Sequence, residues 1–330
     1  MLPLNDLTGP NDIEESYRFH AVEMSTSPCF QAWATGVAGD PEVLEVLRGL
    51  PAGKRQANLV FAAARWHGLR PGPYATLRDL LLGPQWPAVR ETILARRTQT
   101  NEVARLTALT PALASLGDEP LALVELGASA GLCLYPDRYD YVWEGAGALR
   151  GSGGPTLQTS ATGAVPIPAR PPRITARVGV DLDPLDVTDE DDMAWLLTLI
   201  WPEHAERRDR LAAAIEVTRT DPPRLLAGDM LDRFDEALDI AAASGGVPVV
   251  HHSAAVAYLD EPDRHRLEER LRTSASEGRC HWISLEGTRV IPSLAATAPS
   301  VPDAGHRLCL AVDGQAVGWV QGHGAALSWI

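Results

Sequence analysis

Residues 121–131 read LALVELGASAG: an apolar run ends in Glu125, and Gly127, Ser129 and Gly131 follow at alternate positions. A buried strand that enters a glycine-rich turn gathers a carboxylate and backbone N–H groups at one point, where an α/β sheet binds its ligand. The next apolar run, RVGVDLDP, ends in Asp181, and a carboxylate there can accept both hydroxyls of a ribose. A third, RLLAGDM, ends in Gly228 and Asp229. A fourth, VPVVHHSAAVAYL, ends in His251, His252 and Ser253. A histidine there would deprotonate a substrate hydroxyl or amine, or else form a hydrogen-bonded wall. Gln99, Thr100, Asn101 and Glu102 precede the first run and would close over a ligand, or form a solvated helix face or interdomain hydrogen bonds. Asp189–Asp192 open a helix, where each negative charge is favoured by about 0.3–1 kcal/mol, and are read as caps; Asp181 and Asp229 are read as ligand groups.

These residues need elements that hold them together. From Ile13 to about Leu116 the pattern is helical: NDIEESYRFHAVEM has an N-cap Asn and early acids, PEVLEVLRGL begins with Pro41, and RQANLVFAAARWHGL has apolar residues at helical spacing. From Leu121 strands alternate with helices, which implies parallel pairing. Strands are expected at 121–126, 174–182, 224–228, 247–253 and 280–286, with helices in DEDDMAWLLTLIW, EHAERRDRLAAAIEVTR, LDRFDEALDIAAA and DEPDRHRLEERLRTSA. LCLYPDRYDY, after the glycine turn, can continue as a helix. The last 25 residues hold two strand-like runs joined through Asp313 and Gly314, a hairpin signal. The expected fold is α/β, a doubly wound, mostly parallel Rossmann-like sheet over 119–330 with a C-terminal β-hairpin, preceded by an N-terminal helical domain over 1–118. A Gly/Pro-rich segment, 143–173, interrupts the rhythm as a surface insertion or a lid over the ligand.

As Glu-x-Gly-x-Ser-x-Gly, the turn resembles the first motif of class I S-adenosylmethionine methyltransferases, and the five-strand run closed by a hairpin resembles their order. That resemblance implies S-adenosylmethionine as cofactor, bound by Glu125, Gly127, Ser129, Gly131, Asp181 and Asp229. His252, with Asn101 and Glu102 in support, would face a small-molecule oxygen or nitrogen nucleophile. As Gly-x-Ser-x-Gly, the same residues resemble the nucleophile elbow of an α/β-hydrolase, with Ser129, Asp260 and His323 in the order of that fold. The helical pattern before Leu121 and the missing His-Gly-Gly run count against it. A nicotinamide site lacks its third glycine spacing, and Asp181, Asp183 and Asp186 offer only a loose oxygen set for a divalent cation. A non-catalytic descendant that binds a ligand or a protein partner is the other class.

The 330 residues are 45% hydrophobic and 22% charged, and a net charge of -14 disfavours nucleic acid or an anionic membrane as partner. Cys29, Cys133, Cys280 and Cys309 show neither zinc nor disulfide spacing, and the acidic N-terminus lacks a signal pattern, so a cytoplasmic protein with reduced thiols is expected. The phrases RQANLVFAAARWHG, RRTQTNEVARL, VGVDLDPLDVTD, LIWPEHAERRDRLAAAI and VVHHSAAVAYL together resemble the bacterial domain of unknown function 2332 family over nearly the whole chain. The resemblance implies a methyltransferase-like fold. That family's pattern has an Asn near Cys133, an unbroken helix where this chain has Pro136, and Phe where it has His251; Pro136 would shorten or kink the helix after the turn.

Overall fold

The structure, a computed structural model, describes residues 12–99, 101–299 and 307–330. The acidic N-terminal stretch up to residue 11, and Thr100, lie outside the described residues. The chain divides into two compact units, one holding described residues up to 99 together with 190–209, the other the remainder. The division thus falls near residue 100, about one short helix before the expected boundary at 118, and returns 190–209 to the helical unit.

The helical unit contains α1 (Ile13–Glu23), α2 (Pro28–Ala38), α3 (Pro41–Arg48), α4 (Ala57–Trp66), α5 (Tyr74–Leu82) and α6 (Trp86–Ala95). Caps written into the sequence start them: Ser27 accepts from the Phe30 N–H, Asp40 accepts from those of Glu42 and Val43, and prolines occupy first turns. Asp12, one residue after the expected Asn11, caps α1. Phe30, Trp33 and Phe61 interlock at 5.1–5.5 Å between ring centroids as the aromatic centre of this unit.

The second unit opens with α7 (Leu106–Ala114) and β1 (Leu121–Leu126). Five parallel strands stand in the order β8-β7-β1-β5-β6, where β5 is Ile174–Asp181, β6 Arg224–Ala227, β7 Val247–Ser253 and β8 His281–Gly287. The expected strands appear within about a residue of their ends. Between them in the sequence come α8 (Glu190–Thr198), which belongs to the helical unit, α9 (Ala205–Arg219), whose residues from 210 on belong to this one, α10 (Met230–Ala242) and α11 (Glu261–Ser276). Val124, Val178, Val250 and Trp282 bury one sheet face beside Phe234 and Leu238 of α10 and Leu267 and Leu271 of α11. Because the chain leaves β1 for β5 and later crosses to β7 on its other side, the β1/β7 boundary is the topological switch point.

Beyond β8 the sheet is mixed. Antiparallel β9 (Arg307–Val312) and β10 (Gln315–Gln321) form the hairpin through Asp313 and Gly314, both at positive φ, and β11 (Ala326–Trp329) follows. The Gly/Pro-rich segment is sheet in part: β2 (Asp140–Glu144), β3 (Gly147–Leu149) and β4 (Thr156–Thr162) complete an 11-stranded sheet, with β4 alongside β11.

The helix expected after the glycine turn does not form. Leu132–Leu134 make a single 3-10 turn, and the chain reaches β2 six residues later. Three carbonyls there are satisfied from elsewhere: those of Leu132 and Pro136 accept the Tyr139 and Tyr141 hydroxyls, and that of Leu134 accepts Arg177. With Pro136 unable to donate, this arrangement replaces helical bonding. No described helix is long and apolar enough to cross a membrane.

Candidate functional site at the switch point

Gly127, Ser129 and Gly131 all have positive φ (77°, 52° and 72°) while Ala128 and Ala130 do not. Such alternation turns successive N–H groups toward one side of the loop. Ser129 is a non-glycine residue in the left-handed region, and Ala254, just past β7, is another at 47°. Backbone strain of this kind therefore stands on both sides of the switch point, a place where it is often functional. A Cβ on Gly127 would lie 2.4 Å from that of Ala255, so the two strand-end turns touch there.

Asp181, at the end of β5, braces the turn. Its Oδ2 accepts the Ser129 N–H at 2.8 Å and its Oδ1 accepts the Asp183 N–H at 2.9 Å. Asn101 donates from Nδ2 to the Ala128 carbonyl at 2.8 Å, so two predicted residues hold the loop itself. The Ser129 hydroxyl is buried and has no hydrogen-bond partner among the described residues. Glu125 is 4% exposed, makes no hydrogen bond to described residues, and burial pushes its carboxyl pKa well above the usual range, with Arg105 partly offsetting this. An unpaired buried carboxyl is costly unless something else satisfies it.

Strand alternation separates the other predicted groups. Register places Glu125 beside His251 and Leu126 beside His252, so the neighbouring histidines point to opposite faces. His252 is fully buried on the α10/α11 side; its Nε2 accepts the indole N–H of Trp282 at 2.9 Å, and its Nδ1–H donates to Glu286 Oε1 at 2.9 Å. An indole only donates, so the imidazole is the neutral Nδ1–H tautomer. The expectation that His252 faces a substrate is thereby corrected: both nitrogens are committed. His251, on the other face, has an Nδ1 without a partner among the described residues, and burial brings its pKa down to about 3.

Asp229 also has a backbone partner. It is the N-cap of α10, its Oδ1 accepting the Leu231 N–H at 2.7 Å, so the helix-capping role fits it; no described residue bonds Oδ2. Glu102 caps the short turn Val103–Arg105 by accepting the Ala104 N–H, and pairs with Arg210 at 3.1 Å. Gln99 belongs to the helical unit. The hydrolase triad is not assembled among the described residues: the Ser129 hydroxyl bonds none of them, Asp260 is the N-cap of α11, and His323 lies in the turn after β10. Asp181, Asp183 and Asp186 form no cation cage; Asp186 accepts from the Thr188 N–H and hydroxyl, and no metal-holding cluster occurs among the described residues.

Sequence reasoning passed over Arg105, Tyr258 and Glu286. Arg105 is 9% exposed, and its Nη1 donates to the Ser253 carbonyl at 2.7 Å and hydroxyl at 3.3 Å, while Nε is unpartnered. A lone charge in the apolar run VARLTALTPAL was its available signal. Glu286 Oε1 also accepts the N–H groups of Ala255 and Val256, holding the turn that ends in Tyr258. Tyr258 and Leu182 are large side chains left 64% and 63% exposed at these strand ends. A hollow of about 410 Å³ opens at the start of β1, lined by the prolines of 166–172 and the Arg170–Asp118 pair, away from this polar cluster.

The family model described as an uncharacterized protein conserved in bacteria, domain of unknown function 2332, matches residues 14–329. No curated protein and no solved structure matches.

Proposed function

The chain belongs to the domain of unknown function 2332 family, and from that footing we propose that the switch-point crevice binds S-adenosylmethionine and that the protein is a cytoplasmic methyltransferase for a small-molecule oxygen or nitrogen nucleophile. The observation that carries the reading is Glu125: a buried carboxyl with no hydrogen bond to a described residue, near the end of the central parallel strand against the glycine turn. A ligand ammonium would satisfy it. The buried Ser129 hydroxyl is a second open group on that turn. Asp181 uses one lone pair of each carboxylate oxygen on the backbone, which leaves acceptor capacity for ribose hydroxyls. Asp229 keeps Oδ2 for an adenine amino group, and exposed Leu182 offers an apolar surface to the base.

The cofactor would supply a methyl group activated on a sulfonium. The chain's part is alignment and exclusion of water, since His251 and His252 are buried, both His252 nitrogens are engaged, and Asn101 and Glu102 brace neighbouring backbone. Calorimetric titration of the full chain with S-adenosylmethionine tests this. Binding is expected, and Asp181→Ala should weaken it by about tenfold or more. A titration without heat or saturation ends the proposal. The two engaged nitrogens of His252 favour one further reading, a ligand-binding protein without turnover; binding with no methyl transfer to a broad panel of nucleophiles would select it.

A further inference from the structure

A ligand with an amino-acid end brings a carboxylate as well as an ammonium. In many α/β sheets the helix after the glycine turn receives such an anion on its free N–H groups. Here that helix is replaced by the three residues Leu132–Leu134, so a cation must do the work. Three arginines stand near the turn or its strand. Arg177 is held by Asp137 at 2.8 and 2.9 Å, and Arg210 pairs with Glu102 at 3.1 Å. Arg105 differs from both. It is nine-tenths buried, forms no ion pair with a described residue, bonds only Ser253, and leaves Nε unpartnered. Buried arginines are normally paired, because an uncompensated charge out of water is costly. Glu125 feels the charge of Arg105 without a hydrogen bond between them. Asp181 is engaged by the Ser129 and Asp183 N–H groups, Glu286 by His252 and the Ala255 and Val256 N–H groups, and Glu102 by Arg210.

We infer that Arg105 receives the carboxylate of the ligand's amino-acid moiety, in place of the missing helix N-terminus. The inference rests on the nucleoside reading above. A guanidinium fork matches a carboxylate bidentately, which a lysine does not. The ligand's two charges would then be sorted by Glu125 and Arg105, with the nucleoside directed toward Asp181.

The test compares S-adenosylmethionine with its decarboxylated form, which keeps the ammonium, sulfonium and nucleoside. The full-length protein should bind the intact compound about tenfold or more tightly. Arg105→Gln should bring the two within about twofold of each other by losing affinity only for the carboxylate-bearing one, and Arg105→Lys should recover part of the preference. Equal binding of both compounds to the unaltered protein overturns the role of Arg105 while the nucleoside site stands, and it does so even if the variants fail to fold. A preference that persists in Arg105→Gln overturns it as well. Binding of neither compound overturns both readings.

Discussion

Glu125 and His251 sit side by side across β1 and β7, and burial drives both to neutrality from opposite directions. For Glu125 the folded pKa exceeds the unfolded one, so its contribution is complete below the ordinary carboxylate pKa and is lost as pH rises through the raised value. Glu125→Gln removes that loss: urea denaturation should show the variant about 1–3 kcal/mol more stable than the parent near pH 8, with ligand affinity reduced. His251 has the reverse sign. Its folded pKa of about 3 lies below the unfolded 6.5, so its contribution is complete above 6.5 and is lost as pH falls toward 3, at about 1.4 kcal/mol per pH unit. His251→Phe should flatten the acid limb of the stability profile; an unchanged limb would show that the ring is protonated in the folded state. The carboxylate at the strand end was legible from one apolar run ending in one acid. Its lack of hydrogen bonds was not, because that depends on what distant segments decline to offer.

At the scale of elements, the parallel strands were readable because each is a short apolar run bounded by turn residues, while the post-turn helix was misread. Its residues have helical spacing, but Tyr139, Tyr141 and Arg177 take the carbonyls that a helix would use. The glycine turn itself is demanding. Gly127→Ala meets a left-handed penalty of about 1–2 kcal/mol and places its Cβ 2.4 Å from that of Ala255. The variant should be destabilised by more than the conformational penalty alone. Adding Ala255→Gly should return only the steric part, which a double-mutant cycle in denaturant measures. Additive effects would mean that the two turns do not touch. The Trp282–His252–Glu286 chain braces the second turn, so His252→Ala should cost about 2–4 kcal/mol by orphaning a buried indole N–H and opening a cavity.

On the whole molecule, the two units carry the thiols unequally: Cys29 lies in the helical unit and is partly exposed, whereas Cys133, Cys280 and Cys309 are buried in the sheet unit. Burial raises all three buried thiols, Cys280 and Cys309 to about 11. Labelling with a thiol reagent at neutral pH should modify Cys29 first and the others only as the sheet unit opens, so labelling rates read each unit separately. Early modification of Cys280 would contradict the burial. By itself the sequence determined the helical first part, the five parallel strands, the hairpin and the acids at the strand ends, because apolar periodicity, caps and turn residues act over a few positions. Only the tertiary structure decided that Asp229 caps a helix, that His252 turns away from Glu125 into an indole and a carboxylate, and that Arg105 meets Ser253 at the end of β7 with no ion pair to a described residue. Those outcomes depend on which face of the sheet a side chain occupies and on donors and acceptors that folding brings together from far along the chain.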